Sequence, residues 1–191
     1  MEKLLFVNAC VNRERSRTLR LAREVIARHP ECEVDEIVLE DLGLRPLDSE
    51  TVDRRNGLAR EGRFDDPIFD IAHRFADADV IVIATPFWEN AFNSMTKIFM
   101  EHSGAVGVAF RYSESGMPVG MCRARRLYYV TTRGGPVPDE GDLGFRIYEN
   151  VAHTYGIEDV RCISASALDI ITNDAEAIMS EAVEKVRTML I

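Results

Sequence analysis

Three short stretches of this sequence carry side chains able to meet a ligand. The apolar run Ile81-Val82-Ile83-Ala84-Thr85 ends at Pro86 and is followed by Phe87, Trp88, Glu89 and Asn90. Proline brings no N–H to a sheet ladder, so a strand must stop there and leave two aromatics, a carboxylate and an amide beyond its carboxyl end. That set can form one wall against a flat aromatic ligand. A second stretch, Ala9-Cys10-Val11-Asn12-Arg13-Glu14-Arg15-Ser16-Arg17-Thr18, leads from another apolar run into a helical pattern. Hydroxyls of Ser16 and Thr18, with backbone N–H groups at a helix start, suit a phosphate. Arg13, Arg15 or Arg17 could add charge, and spacing does not choose among them. In the third, Thr131-Thr132-Arg133-Gly134-Gly135-Pro136, paired glycines allow close backbone approach or positive φ. Arg133 or the two glycine amides could stabilise negative charge on a carbonyl edge. Each stretch also has a plain structural reading: a helix cap with solvated arginines, core-filling aromatics, and a simple turn. Cys10 followed by Arg15-Ser16 also resembles a cysteine phosphatase or arsenate reductase loop. This loop is one residue shorter than that cradle and lacks its glycines, which favours Cys10 as a small packed residue.

The elements that must hold these stretches are apolar runs alternating with amphipathic ones, the pattern of parallel strands covered on both faces. Five strands are expected: Lys3 to Asn8, Val34 to Leu39, Asp79 to Thr85, Arg126 to Thr131 and Asp159 to Ser164. Helices are expected over Ser16 to Arg28, from the Asp66-Pro67 start through Phe75, and from Asn90 or Asn93 to His102. Two more run from Glu140 to Tyr155 and from Asn173 or Asp174 to the C-terminus. Long connections remain at Leu42 to Arg63 and at Gly104 to Arg125. Five strands and five helices fit a flavodoxin-like doubly wound α/β sheet of order 2-1-3-4-5, formed as a single domain over residues 1–191. In that order the first and third strands flank the switch point, so the three stretches converge on one crevice. A phosphate cradle, an aromatic and amide wall and a glycine-lined edge together suit FMN.

Bulk properties remove several classes. A formal charge of −9 opposes a phosphate backbone, so nucleic acid is not an expected partner. No run approaches the roughly 20 apolar residues of a membrane helix and no signal peptide is visible, so a cytoplasmic protein without membrane contact is expected. Cys10, Cys32, Cys122 and Cys162 show no Cys-x-x-Cys spacing, and the histidines lack helical i, i+4 pairing; no disulfide and no metal site is expected. The Arg123-Ala124-Arg125-Arg126 cluster reads as solvated charge rather than as a seat for an NADPH phosphate.

Val80 to Thr85, Pro86-Phe87-Trp88, Phe110-Arg111-Tyr112-Ser113-Glu114-Ser115-Gly116 and Thr131-Thr132-Arg133-Gly134-Gly135 resemble the FMN-dependent NADH azoreductase and NAD(P)H:quinone reductase family. The register matches best from about Asp79 to Gly135. The resemblance implies that Ser16, Arg17 and Thr18, in the loop that includes Cys10, hold the FMN phosphate. It also implies that Pro86 to Asn90 line the isoalloxazine, that Thr132, Arg133, Gly134 and Gly135 meet its other edge, and that Phe110 and Tyr112 cover a substrate pocket near a homodimer interface. Glu89 stands where the family tends to place an amide. A carboxylate there disfavours an anionic reduced ring unless it faces solvent. The implied activity is ping-pong electron transfer from NADH or NADPH through bound FMN to a small-molecule acceptor, a quinone, azo or nitro compound, with no catalytic side chain required. A flavodoxin-like electron carrier, a cysteine phosphatase and a flavin-free relative of the fold are the competing readings.

Overall fold

The computed structural model describes residues 1–189, and the final two residues of the expected C-terminal helix lie outside them. The central sheet comprises β1 (Glu2–Asn8), β2 (Cys32–Val38), β3 (Val80–Ala84), β8 (Arg126–Thr132) and β9 (Asp159–Ala165), all parallel in the order β2-β1-β3-β8-β9. That is the 2-1-3-4-5 order expected of the five main strands. Two short antiparallel hairpins interrupt the alternation: β4 (Phe87–Trp88) with β5 (Ala91–Phe92), and β6 (Phe110–Tyr112) with β7 (Pro118–Gly120). The helices are α1 (Arg17–Ala27), α2 (Leu39–Leu42), α3 (Ser49–Arg60), α4 (Asp70–Ala76), α5 (Ser94–Ser103), α6 (Leu143–Thr154) and α7 (Ala175–Thr188).

Burial explains why these runs are strands. β3 reads Val-Ile-Val-Ile-Ala and every side chain is buried, because a central parallel strand is covered on both faces. Leu5, Val7, Ile81, Ile83 and Tyr129 point to the layer containing Phe75, Phe99 and Tyr148. Leu4, Phe6, Val80, Val82 and Tyr128 point to the opposite layer, where Leu19, Leu21 and Val25 of α1 meet Met179 and Val183 of α7. Each such Leu or Val stabilises the fold by about 1.5–3 kcal/mol when fully buried. β2 departs from the expectation of burial on both faces. It is an edge strand, and Glu33, Val34, Asp35 and Glu36 are exposed.

Three further differences have local causes. The 42–63 connection contains α3, capped by Asp48, whose side chain accepts from the Thr51 N–H at 2.8 Å. Only Leu58 of that helix is buried, so its apolar periodicity is too weak to show in the sequence. The helix expected from Glu140 begins at Leu143, because residues 139–141 form a single 3-10 turn and Asp142 caps α6 by accepting from Phe145 N–H. The 104–125 connection is ordered by the β6–β7 hairpin, with Phe110 stacked 5.5 Å from Tyr155. No helix among the described residues is long and apolar enough to cross a membrane.

Of the two candidate caps for α5, Asn93 serves and Asn90 does not. Asn93 Oδ1 accepts from the Thr96 N–H and hydroxyl at 3.0 and 2.8 Å, while its Nδ2 donates to Ala9 O at 2.8 Å. One buried side chain therefore caps a helix and pins the loop after β1. Asn93→Ala should lower unfolding free energy by about 2 kcal/mol, a lost cap plus a stranded carbonyl, measured as a lower urea midpoint; an unchanged midpoint would show that neither bond matters.

Candidate functional site

At the carboxyl ends of β1 and β3 the chain leaves an open cleft of about 960 Å³. Arg15, Ser16, Thr18, Pro86, Trp88 and Thr132 are among its lining residues, so all three stretches singled out in the sequence contribute. α1 supplies the cradle. Ser16 caps it by accepting from Leu19 N–H at 3.1 Å, which leaves the Arg17 and Thr18 amides without intrahelical acceptors. The Thr18 hydroxyl lies 2.6 Å from that of Thr132, joining the loop after β1 to the end of β8. Asn12, with φ at 52°, turns the chain into this helix.

The three arginines separate. Arg13 turns away to Asp41, at 2.9 Å. Arg17 pairs with Asp169 in the loop after β9, also at 2.9 Å. Arg15 lines the cleft and makes no ion pair among the described residues, which leaves it the cation available to an anion there. Asp169 is a cleft residue that sequence reading missed. Its position just past the end of the fifth main strand, at the same carboxyl edge, was the signal that could have found it.

The chain beyond Pro86 forms a tight hairpin, Phe87 opposite Phe92 and Trp88 opposite Ala91. Its two turn residues, Glu89 and Asn90, have φ of 49° and 67°, the paired positive values of a two-residue hairpin turn. Trp88 is 48% exposed and stands as the aromatic wall. Glu89 sits at the exposed tip, which meets the condition that its carboxylate face solvent. Asn90 anchors the tip by accepting from Leu143 N–H at 3.2 Å.

Gly134 and Gly135 are held against residues 167–169: their carbonyls accept from Asp169 and Ala167 N–H at 3.0 and 2.8 Å. Their own N–H groups have no acceptor among the described residues and remain available to a ligand. A Cβ on Gly134 would push against the Asp169 carboxylate, the exposed end of a side chain that would have to swing aside.

Arg133 does not offer a free charge. Its side chain is fully enclosed, with Nε on Asp142 at 3.0 Å and Nη1 on Asp139, Val137 O, Ser164 and Ser166. The guanidinium also lies 5.8 Å over the Phe87 ring. Burial alone would raise the Asp139 carboxyl, but hydrogen bonds from Ser164 and Arg133, with the Arg133 charge, outweigh it and hold the group below its ordinary value. Cys10 is packed beneath the loop and does not line the cleft; burial pushes its thiol up to about 11, only partly offset by Ser16. A buried thiol that does not line the cleft is poorly placed to act as a nucleophile there. Phe110 packs on Tyr155, and Tyr112 is 57% exposed on the β6–β7 hairpin; neither lines this cleft within one chain. Arg123, Arg125 and Arg126 pair with Asp79, Glu2 and Asp159, so that cluster is committed to ion pairs.

Sheet order, helix N-terminus, aromatic wall and free glycine amides define a flavodoxin-like protein with a cofactor-sized cleft at the switch point. The flavodoxin-like fold family profile matches residues 2–190. The chain is 30% identical over 194 residues to an FMN-dependent NADH:quinone oxidoreductase of Coprothermobacter proteolyticus, covering 97% of this chain and 96% of that one. An azoreductase structure from Bacillus anthracis superposes with a TM-score of 0.85 at 19% identity, covering 97% of both chains. An FMN-dependent NADH-azoreductase from the same organism, in complex with FMN, gives 0.82 at 20% identity over 97% of this chain and 96% of that one. The chain belongs to the flavodoxin-like family of FMN-dependent NADH:quinone oxidoreductases.

The Arg133 network makes two predictions. Asp142→Ala, which strands a buried cation, should cost about 3–5 kcal/mol in chemical denaturation. Because the Asp139 pKa is depressed in the fold, its contribution is complete above the ordinary value of 3.8 and is lost as pH falls below it. The urea midpoint should therefore drop in that range, and drop less in Asp139→Asn.

Proposed function

We propose that this protein is an FMN-dependent oxidoreductase that takes electrons from NADH or NADPH and gives them to a small acceptor, a quinone or an azo or nitro compound. The single observation that carries this reading is the convergence on one cleft of a helix N-terminus, an Arg15 with no ion pair among the described residues, an exposed Trp88 wall and Thr132 at the end of β8, two residues before the glycine pair. The donor set fits FMN. A dianionic phosphate would be held by the Arg17 and Thr18 amides, the Ser16 and Thr18 hydroxyls and Arg15. Arg17, committed to Asp169, contributes through its backbone.

Held there by the α1 cradle, FMN would supply two-electron redox chemistry between a nicotinamide donor and the acceptor. The chain's own residues orient and exclude. Trp88, on a hairpin fixed at Asn90 and underpinned by Phe87 against Arg133, presents one wall to the ring. Gly134 and Gly135, whose N–H groups have no acceptor among the described residues, would offer them to negative charge at the ring's carbonyl edge. Glu89 stays at the solvent-facing tip. We read the chain as one domain, a reading supported by the two apolar layers that cover the faces of the central sheet.

We also propose a cytoplasmic homodimer. Tyr112, Met117, Val119 and Met121 are exposed on and beside the β6–β7 hairpin, an apolar surface that a second copy would cover while bringing Phe110 and Tyr112 toward a substrate pocket.

The test is colour and turnover. The purified chain, reconstituted with FMN, should show a bound flavin spectrum and oxidise NADH with a quinone without any separate reductase, giving parallel double-reciprocal lines. A protein that takes up no FMN sinks the reading, and one that binds FMN but needs a reductase is a carrier instead. Arg15→Ala should weaken FMN binding about tenfold, the ~1.5 kcal/mol of one charge-assisted contact, whereas Arg13→Ala should change it by less than about twofold.

A further inference from the structure

At the amino ends of the strands, remote from the cleft, the turn from α1 into β2 reads His29-Pro30-Glu31-Cys32. The His29 side chain is 99% enclosed, yet its Nδ1 makes no hydrogen bond to any described residue. A buried imidazole nitrogen that makes no hydrogen bond is rare, and here the Glu31 carboxylate stands 3.5 Å away without completing one. Nε2 lies 3.3 Å from the Tyr128 hydroxyl, which also accepts from Arg126 Nη1 at 3.2 Å. That contact fixes the ring and leaves Nδ1 aimed outward at Glu31 and Cys32.

The surroundings of Nδ1 have the shape of a coordination sphere. Glu31 Oε1 lies 3.5 Å from Nδ1 and 3.6 Å from Cys32 Sγ, and the three donors all fall within 4.8 Å of one another. Tetrahedral bonds of about 2.0 Å to nitrogen and oxygen and 2.3 Å to sulfur set neighbouring ligand atoms ~3.3–3.6 Å apart. Glu2 Oε2 is 3.8 Å from the same sulfur, because Glu2 and Cys32 are register partners on β1 and β2.

We propose that His29 Nδ1, Glu31 and Cys32 Sγ form a three-residue site for a zinc ion, with the fourth tetrahedral position left to solvent. Mixed nitrogen, sulfur and carboxylate donors select zinc over magnesium or calcium, which take all-oxygen shells. His29 needs its Nε2 proton directed at Tyr128, the outer contact that commonly orients a metal-binding imidazole. Two anionic ligands would balance the charge of the ion, and Glu2, paired with Arg125 at 2.8 Å, stands beside Cys32 outside the ligand set. Glu31 is half exposed, so a cation can reach the buried nitrogen from solvent. Binding would replace the Cys32 S–H bond by a zinc–sulfur bond and release that proton to water.

Linear spacing hides this site. The ligands come from a turn and from a strand start, not from one helix face, and the sequence alone gave no reason to expect a metal.

The full chain is incubated with zinc chloride, passed over a desalting column and assayed for bound zinc, while alkylation of Cys32 by iodoacetamide is followed by mass spectrometry. One zinc per chain should be retained and Cys32 should react more slowly with it than without. Cys32→Ser and Glu31→Gln, both on partly exposed groups and expected to fold, should each weaken retention at least as much as the ~10–100-fold cost of outer-contact changes. The proposal is overturned if the wild-type chain retains no zinc, or if both variants retain it as tightly as the wild type. FMN binding is read separately in the same samples, and its presence or absence bears on the cleft alone.

Discussion

The Arg133 guanidinium is sealed between Asp142 and Asp139 at the end of β8, and a charge so placed is tolerable only while every donor is met. Meeting those donors assembles the carboxyl edge of the sheet. Asp142 must sit where it also caps α6, Val137 must turn its carbonyl inward, and Ser164 and Ser166 must bring in the end of β9. The Phe87 ring under the same guanidinium ties in the hairpin after β3. The backbone at Gly134 and Gly135 is thereby fixed without either residue's N–H being used. A charge that at first resembles a ligand contact turns out to be the frame on which ligand contacts are hung.

The cradle on the other side of the cleft is held by smaller interactions of the same logic. Asn93 fixes Ala9, Ser16 caps α1, and the Thr18 and Thr132 hydroxyls meet across the switch point. The salt bridge between Arg17 and Asp169 spans the loops after β1 and β9 and is exposed at both ends, so it contributes little to stability and serves to hold position. Rigid scaffolding beneath and unspent donors above are what preorganised binding requires.

The strand order and the switch point were legible because buried parallel strands write themselves as unbroken Val and Ile runs, and β3 is the clearest case. The cleft followed from topology once Ser16, Trp88 and the glycine pair fell at the ends of those runs. What stayed hidden depends on three-dimensional burial. Arg133 and Arg15 are identical in sequence terms, yet one is enclosed by carboxylates and the other faces the cleft. The β4–β5 turn uses Glu89-Asn90 in place of the Asn-Gly pair that announces such hairpins, and α3 shows too few apolar residues to declare a face. His29 and Cys32 were passed over for a similar reason: nothing linear marks a nitrogen as stranded.

β2 lies at the sheet's margin, and Glu33, Asp35 and Glu36 are exposed along it. A bare margin of this kind is a template on which another chain can extend the ladder, the usual first step toward aggregates. Carboxylates facing carboxylates across such a junction repel, and the overall charge of −9 adds to it. Copies meeting along the β2 margin would therefore repel, which disfavours lengthening the sheet from that side.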